Sequence, residues 1–337
     1  MELIFFLILF ILIYPINKFI ENLNFLPSQT GETHQNFLGK KNVPLTGGLF
    51  ILIFIIFLYK NNIYLSISFL IFFFLGLCAD KKFIISPSKR FILQMLFIIS
   101  FVLFFDLEIV DLRNPFLSSL LENKLISYFF IIVCFLVLIN GSNFIDGLNG
   151  LQLGYYLIVV CILLKNNLLN QIDISFNNSI LLILFMIYLL ILNFRNQLFL
   201  GDSGSYILSL LIGFILINIY NSDRSISPFF IALLLWYPCF ENLFSILRKF
   251  NLNRSPLKPD NKHLHQLVFL YFKMKYKISK NSANNLSSLA INFVNLIIIF
   301  LASLKYNHTL LQLSLIFISS LIYVFFYIRI LGKISRK

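Results

Sequence analysis

The chain has 337 residues, of which 59% are hydrophobic and only 12% charged, and it carries a net charge of +13 at pH 7. So apolar a composition leaves too little polar surface to clothe a soluble globule of this size. No nucleic-acid motif accompanies the positive charge, which suits a membrane protein whose basic residues lie in inner loops beside anionic headgroups.

Apolar runs long enough to span a hydrocarbon core of roughly 30 Å recur along nearly the whole length. They predict eleven helices, at 3–20, 43–59, 62–78, 90–106, 124–141, 149–164, 178–194, 203–219, 227–247, 285–304 and 309–331. The first lacks the basic flank and small-residue cleavage site of a signal peptide and reads as a retained helix. With the N-terminus outside and the C-terminus cytoplasmic, twenty of the 27 Lys and Arg fall on the inner side and six in outer loops. The expected fold is therefore an all-α polytopic transmembrane bundle forming one integral membrane domain over 1–337. Residues 248–284 are its longest polar stretch, a cytoplasmic basic loop with an interfacial segment in which Lys273, Lys275, Lys277 and Lys280 alternate with apolar residues. Cys78, Cys134, Cys161 and Cys239 lie in or beside apolar runs without CxxC spacing and read as small buried hydrophobes.

In so apolar a chain the informative residues are those that resist the membrane, because an ionisable group at bilayer depth costs several kcal/mol. The first polar cluster, Gly76 to Gln94, holds Asp80 at the C-terminal end of the third helix, where the helix dipole disfavours an acid. A loop acid balanced by Lys81 and Lys82 is the plain alternative. The second, NGSNFIDGLNGL from Asn140 to Leu151, packs Asn140, Asn143, Asp146 and Asn149 among three glycines. A Gly-Asn turn accounts for the glycines, whereas the amide and carboxylate oxygens suit a hard cation or a nucleotide. The third, FLGDSGS from Phe199 to Ser205, puts Asp202 where it can cap the eighth predicted helix or hold a divalent cation against a phosphate. The fourth, NRSPLKPDNKHLHQL from Asn253 to Leu267, sets His263 and His265 after Arg254, Lys258 and Lys262, either an anion clamp or a solvated basic loop. Zinc is not expected, since no third Cys or His ligand is near. Glu241, in a ninth helix interrupted by Pro238, is expected to face the bundle interior or a cytoplasmic cavity.

Taken together and in order, VPLTGG at Val43–Gly48, the Asp80 loop with SPSKR and Gln94, NxxNxxDGLxGL, FLGDSGS and PDNKHLHQL resemble the polyprenyl-phosphate N-acetylhexosamine-1-phosphate transferases of glycosyltransferase family 4. The resemblance covers most of the chain. It implies transfer of an N-acetylhexosamine 1-phosphate from a UDP-sugar to undecaprenyl phosphate, with UMP released, on the cytoplasmic face of the inner membrane, initiating an O-antigen or cell-wall polysaccharide. It implies Mg2+, with Mn2+ as a substitute. Asp80, Asp146 and Asp202 would be catalytic, Asp202 and Asn143 would hold the metal, and Asn140, Asn149, Lys40, Arg254, His263 and His265 would bind substrate. Membrane lipid is the expected partner around the bundle, and a homodimer is allowed.

Three positions depart from the family's pattern. An expected pair of Asp is Ala79 followed by Asp80, the second Asp of DGLDGL is Asn149, and the acid of the ninth helix, commonly Asp, is Glu241. A transporter of an anionic solute is the rival of another class, but its ions would bind near the bilayer midplane, and no internal repeat is evident. Within the family, a phospho-muramyl-pentapeptide transferase would carry consecutive histidines where this chain has HLHQ.

Overall fold

The computed structural model describes residues 2–23, 43–172, 174–253, 255 and 262–335. They fold as α1 (Glu2–Leu23), α2 (Gly47–Leu58), α3 (Ile63–Asp80), α4 (Pro87–Phe104), α5 (Pro115–Leu121), α6 (Lys124–Ile145), α7 (Leu151–Lys165), α8 (Phe176–Phe194), α9 (Gly201–Ser222), α10 (Pro228–Leu234), α11 (Trp236–Asn251), α12 (Leu264–Tyr276), α13 (Lys280–Ser303) and α14 (Thr309–Ser335). No strand occurs among the described residues. Each of the eleven predicted apolar runs contains helix, the run 43–59 only from Gly47, yet among the described residues only eight helices are long and apolar enough to cross a membrane, or nine if α10 and α11 form one broken span. The count of eleven full crossings is corrected at α2 and α7, which have 12 and 15 residues. At 1.5 Å per residue such helices reach about 18 and 23 Å, short of a hydrocarbon core of roughly 30 Å.

Local chemistry sets many of the helix starts. Asn62, Asn114, Asn123, Ser175 and Ser279 each accept a hydrogen bond from a backbone N–H in the first turn of α3, α5, α6, α8 and α13. The break between α10 and α11, a bend of 76°, falls at Leu235. Its cause sits three residues later: the Pro238 ring has no N–H to donate and collides with the carbonyl of the residue four back, Leu234.

The bundle is organised around α9, whose span is 89% buried. It is sheathed by α2, α3 and α6, which approach closely because small residues face it. Where Gly48 meets Gly204, a Cβ on Gly48 would lie 2.6 Å from the Gly204 nitrogen, and one on Gly76 would lie 2.3 Å from the Ser203 Cα. The peripheral helices α1 and α14 bury only 22% of their spans. At the end of the bundle opposite the carboxylates described below, Arg113 donates to the backbone carbonyls of Asn307, Arg224 and Ser225, tying three loops together. The cysteines are all unpaired, and the expectation that they are buried fails for Cys134 and Cys161, which lie on the bundle surface. A lipid-facing position accepts the same apolar residues as the core, so composition does not separate the two.

Candidate active site

The helix α9 lacks a cap of its own. Its N-cap residue is Leu200, and no side chain in its own first turn caps it. The cap arrives from another helix. Asp80, the last residue of α3, accepts hydrogen bonds from the backbone N–H of Asp202 at 2.8 Å and of Ser203 at 3.1 Å, one on each carboxylate oxygen. The dipole argument that made an acid at the end of α3 puzzling is thus resolved by the neighbouring helix, whose N-terminus welcomes negative charge. Gly201 makes the approach feasible. Its φ of +70° is a left-handed conformation, and a Cβ there would stand 2.8 Å from an Asp80 oxygen.

With its backbone held by Asp80, Asp202 does not act as the cap that its position suggested. Its carboxylate turns away to accept from Asn143 Nδ2 at 2.7 Å and from Arg90 Nη1 at 3.1 Å. The Arg90 pair is about a quarter exposed on each side, 25% and 22%. Ion pairs so open to solvent are worth about 0–1 kcal/mol, so Arg90 is held loosely enough to exchange partners. Arg90 belongs to SPSKR, but its place in the site was missed in the sequence, where it counts only as one more inner-loop cation.

The VPLTGG segment holds the other side of this junction. Phe199 N–H donates to the Pro44 carbonyl at 3.0 Å, and Gly47 N–H donates to the Phe199 carbonyl at 2.9 Å. Two motifs far apart in sequence therefore brace one loop, which delivers Gly201 and Asp202 to Asp80.

Asp146 follows the last residue of α6, one turn beyond Asn143, and no hydrogen bond reaches its carboxylate among the described residues. Burial, and then the charges of Asp202 and Asp80, push its carboxyl well above the ordinary carboxylate range. Three carboxylates thus crowd one end of the bundle, with Arg90 bonded to one of them, Asp202. No group of three or more His, Cys, Asp or Glu set to hold a metal by themselves occurs among the described residues. That does not exclude Mg2+, which commonly takes one or two carboxylates and fills its remaining positions with water and substrate phosphates. An uncompensated carboxylate beside two others is a donor set that fits such a cation.

The other carboxamides of the second cluster are already engaged. Asn140 donates to Gln94 Oε1 at 3.2 Å and to the Leu136 carbonyl at 2.8 Å. Asn149 is buried, its side chain donates to Asn196 Oδ1 at 2.8 Å, and its backbone N–H donates to Asn284 Oδ1 at 2.8 Å. Its side chain links the loop to the end of α8 and points to no carboxylate. Asn193 and Asn292 brace the same loop at Gly150.

The fourth cluster folds over Glu241. That residue is fully buried in α11, and one of its oxygens accepts from His263 Nδ1 at 3.0 Å and from the Leu264 N–H at 3.3 Å. A carboxylate only accepts, so the proton of this bond sits on His263 Nδ1. His263 is the N-cap of α12 and His265 lies in its first turn, an arrangement that stacks the two rings 5.6 Å apart at 16°. Phe144 flanks His263 at 4.8 Å. His265 in turn faces the Asp146 loop, since a Cβ on Gly147 would meet its Nε2 at 2.9 Å. Glu241 faces the bundle interior as expected, but its pairing across 22 residues carried no sequence signal. Lys40 and Arg254, both expected to bind substrate, lie outside the described residues.

Comparison with known proteins bears on this arrangement. The family model for glycosyl transferase family 4 matches residues 62–220, a segment that includes Asp80, Arg90, Asn143, Asp146 and Asp202. The chain is 27% identical over 206 residues to a probable undecaprenyl-phosphate N-acetylglucosaminyl 1-phosphate transferase of Bacillus subtilis, covering 59% of this chain and 56% of the relative. It is 24% identical over 139 residues to the undecaprenyl-phosphate alpha-N-acetylglucosaminyl 1-phosphate transferase of Thermotoga maritima, 41% of this chain and 42% of that one. It is 32% identical over 149 residues to the decaprenyl-phosphate N-acetylglucosaminephosphotransferase of Mycolicibacterium smegmatis, 38% and 37%. The matches thus span about half or less of the length of these relatives. Residues 62–220 are thus similar to glycosyl transferase family 4, in a chain with apolar helices long enough to cross a membrane.

Proposed function

We propose that this protein transfers an N-acetylhexosamine 1-phosphate from a UDP-sugar to undecaprenyl phosphate, releasing UMP and starting a lipid-linked surface glycan. The observation that carries the reading is Asp202, fixed by Asp80 through its backbone and by Arg90 and Asn143 through its carboxylate, beside the unpartnered Asp146. The names of the relatives supply the acceptor and sugar classes. The carboxylates stand at helix ends, at the last residue of α3, just past α6 and in the first turn of α9, which favours chemistry at a membrane surface over transport through the midplane. The excess of basic residues on the same side supports a cytoplasmic site in the inner membrane.

In this reaction a phosphate oxygen of the lipid bonds to the phosphorus that carries the sugar, and the bridging oxygen departs on UMP. A phosphate monoester has a second pKa near about 6, so at pH 7 the acceptor is largely its own dianionic nucleophile and needs no base. That leaves Asp80 free for the positioning task its geometry describes. Asp146 and Asp202 would hold Mg2+, with Asn143 beside them, and the ion would neutralise the diphosphate and the charge developing on the departing UMP. Were Asp202 to take up such a cation, Arg90 would be free to bond a phosphate oxygen instead. His263 and His265 lie over the same end, where they would meet the diphosphate and sugar. Membranes supplied with undecaprenyl phosphate, Mg2+ and a panel of UDP-N-acetylhexosamines should release UMP and form a lipid-linked product with at least one member. No product with any of them would refute the reading.

Glu241 is a positioning residue in this scheme. In Glu241→Gln the acceptor for the Leu264 N–H survives while the charge that orients His263 is lost. Turnover should fall about 10- to 100-fold, the scale of losing a carboxylate behind a functional imidazole. The pH profile should change shape as well, which a purely structural role would not produce, and Glu241→Asp should recover part of the loss.

A further inference from the structure

Behind the Glu241–His263 pair lies a separate cavity of about 420 Å³, walled by α11, α12, α13 and α14. Its lining is almost entirely apolar, and its volume falls within the roughly 300–1,000 Å³ of small-molecule sites. Along α14 the wall runs from Ser319 to Lys333, about 21 Å at 1.5 Å per residue, so the cavity is a slot rather than a bowl. One end is cationic. Arg329 and Lys333 line it one turn apart, Lys333 Nζ lies 5.3 Å from the centre of the Tyr271 ring, and Lys275 Nζ lies 5.5 Å from the same ring. Among the described residues no carboxylate pairs with any of these three cations. Like charges gathered at the mouth of an apolar slot repel one another unless an anion joins them.

We propose that the slot is a lipid site holding one acyl chain of an anionic glycerophospholipid, with the lipid phosphate seated between Arg329 and Lys333. The length and apolarity of the slot suit a hydrocarbon chain, and its charged mouth suits the phosphate to which such a chain is tethered. The reacting isoprenoid phosphate is not the occupant. Its phosphate has to meet the carboxylates on α3, α6 and α9, whereas α14 packs mainly against α10, α12 and α13. The bound lipid instead backs the histidine loop. Leu264, whose N–H donates to Glu241, is part of the wall, so an occupied slot supports the segment that sets His263 in place. The inference stands whether or not the proposed transfer reaction is the right one.

Native mass spectrometry of the full chain, loaded in detergent with phosphatidylglycerol, phosphatidylcholine or undecaprenyl phosphate at equal ratios, tests it. One phosphatidylglycerol should stay bound at collision energies that strip phosphatidylcholine. The double variant Arg329→Gln, Lys333→Gln should lower its retained fraction about tenfold or more. Ile291→Trp, which fills the slot and leaves the cations, should do the same. Arg329 is exposed, so the charge variant decides the matter even if Ile291→Trp fails to fold. Equal retention of the two phospholipids, or retention unchanged by the double variant, would overturn the proposal. So would undecaprenyl phosphate displacing phosphatidylglycerol in a manner that depends on Arg329 and Lys333, because the slot would then belong to the acceptor.

Discussion

Asp146→Asn should reduce transfer on the order of 10²- to 10³-fold and, without divalent cations, should raise the melting temperature at pH 7. The loss of turnover follows from removing a charge that holds the cation opposite the diphosphate, at the scale of removing one preorganised electrostatic group. The gain in stability follows from burial and the neighbouring Asp202 and Asp80 charges, which push the Asp146 carboxyl well above its ordinary range. An acid raised in this way binds its proton more tightly in the folded chain than in the unfolded one. From the ordinary carboxylate pKa of about 4 up to the raised value, the folded state therefore holds more protons, and stability falls as pH rises through that window. Asn does not titrate, so the gap between variant and parent should widen from pH 5 to pH 7. Mg2+ should reverse the order. The parent gains stability from binding, about 2.7 kcal/mol at a hundredfold excess over Kd, while the variant gains little. Near-normal turnover in Asp146→Asn, or an equal response of both proteins to Mg2+, would remove Asp146 from the metal site.

Most of the helices were legible in the sequence because the membrane imposes a simple rule, long apolar runs, and this chain obeys it from end to end. The rule says nothing about how completely each run crosses, and so it overcounted at α2 and α7. It also merged α10 and α11, although Pro238 was visible, because the collision of a proline ring is felt four residues back, at Leu234. The site was legible as residue types and opaque as partners. Asp202 looked like a cap because an acid after a glycine at a helix start usually is one, and nothing in FLGDSGS announces that Asp80 takes over the amides from 122 residues away. Two residues apart on a helix, His263 and His265 would point about 200° away from each other. They converge because the helix begins between them, with His263 extended at the cap. Asn143 and Asn149 are the same residue type in one cluster, expected at the metal and at the substrate, and packing sets their partners: one meets a carboxylate, the other meets Asn196.

Gly76→Ala should abolish most of the activity without touching a single polar group of the site. The added Cβ would lie 2.3 Å from the Ser203 Cα and 2.5 Å from the Ser203 nitrogen, and these are backbone atoms that cannot swing aside. The only relief is for α3 to move away from α9. Overpacking of this kind costs about 1–3 kcal/mol, which a bundle of this size can survive. The positional effect is larger. Asp80 ends α3 one turn beyond Gly76, and it reaches the Asp202 and Ser203 amides at 2.8 and 3.1 Å only while the two helices are in contact. A shift of about 1 Å breaks those bonds, releases the uncapped start of α9, and moves Asp202 relative to Asn143 and Arg90. Misplacement on that scale is worth about 10²-fold in rate. Gly332→Ala is the control, since nothing lies within 4 Å of the added methyl. In α14 it should leave turnover intact and add up to about 1 kcal/mol of helix stability. Turnover and melting temperature measured together separate the outcomes. If Gly76→Ala lost activity only in proportion to the fraction unfolded, the contact between α3 and α9 would be ordinary packing. A folded, Mg2+-unresponsive and inactive variant would show that this contact, through Asp80, is what places Asp202.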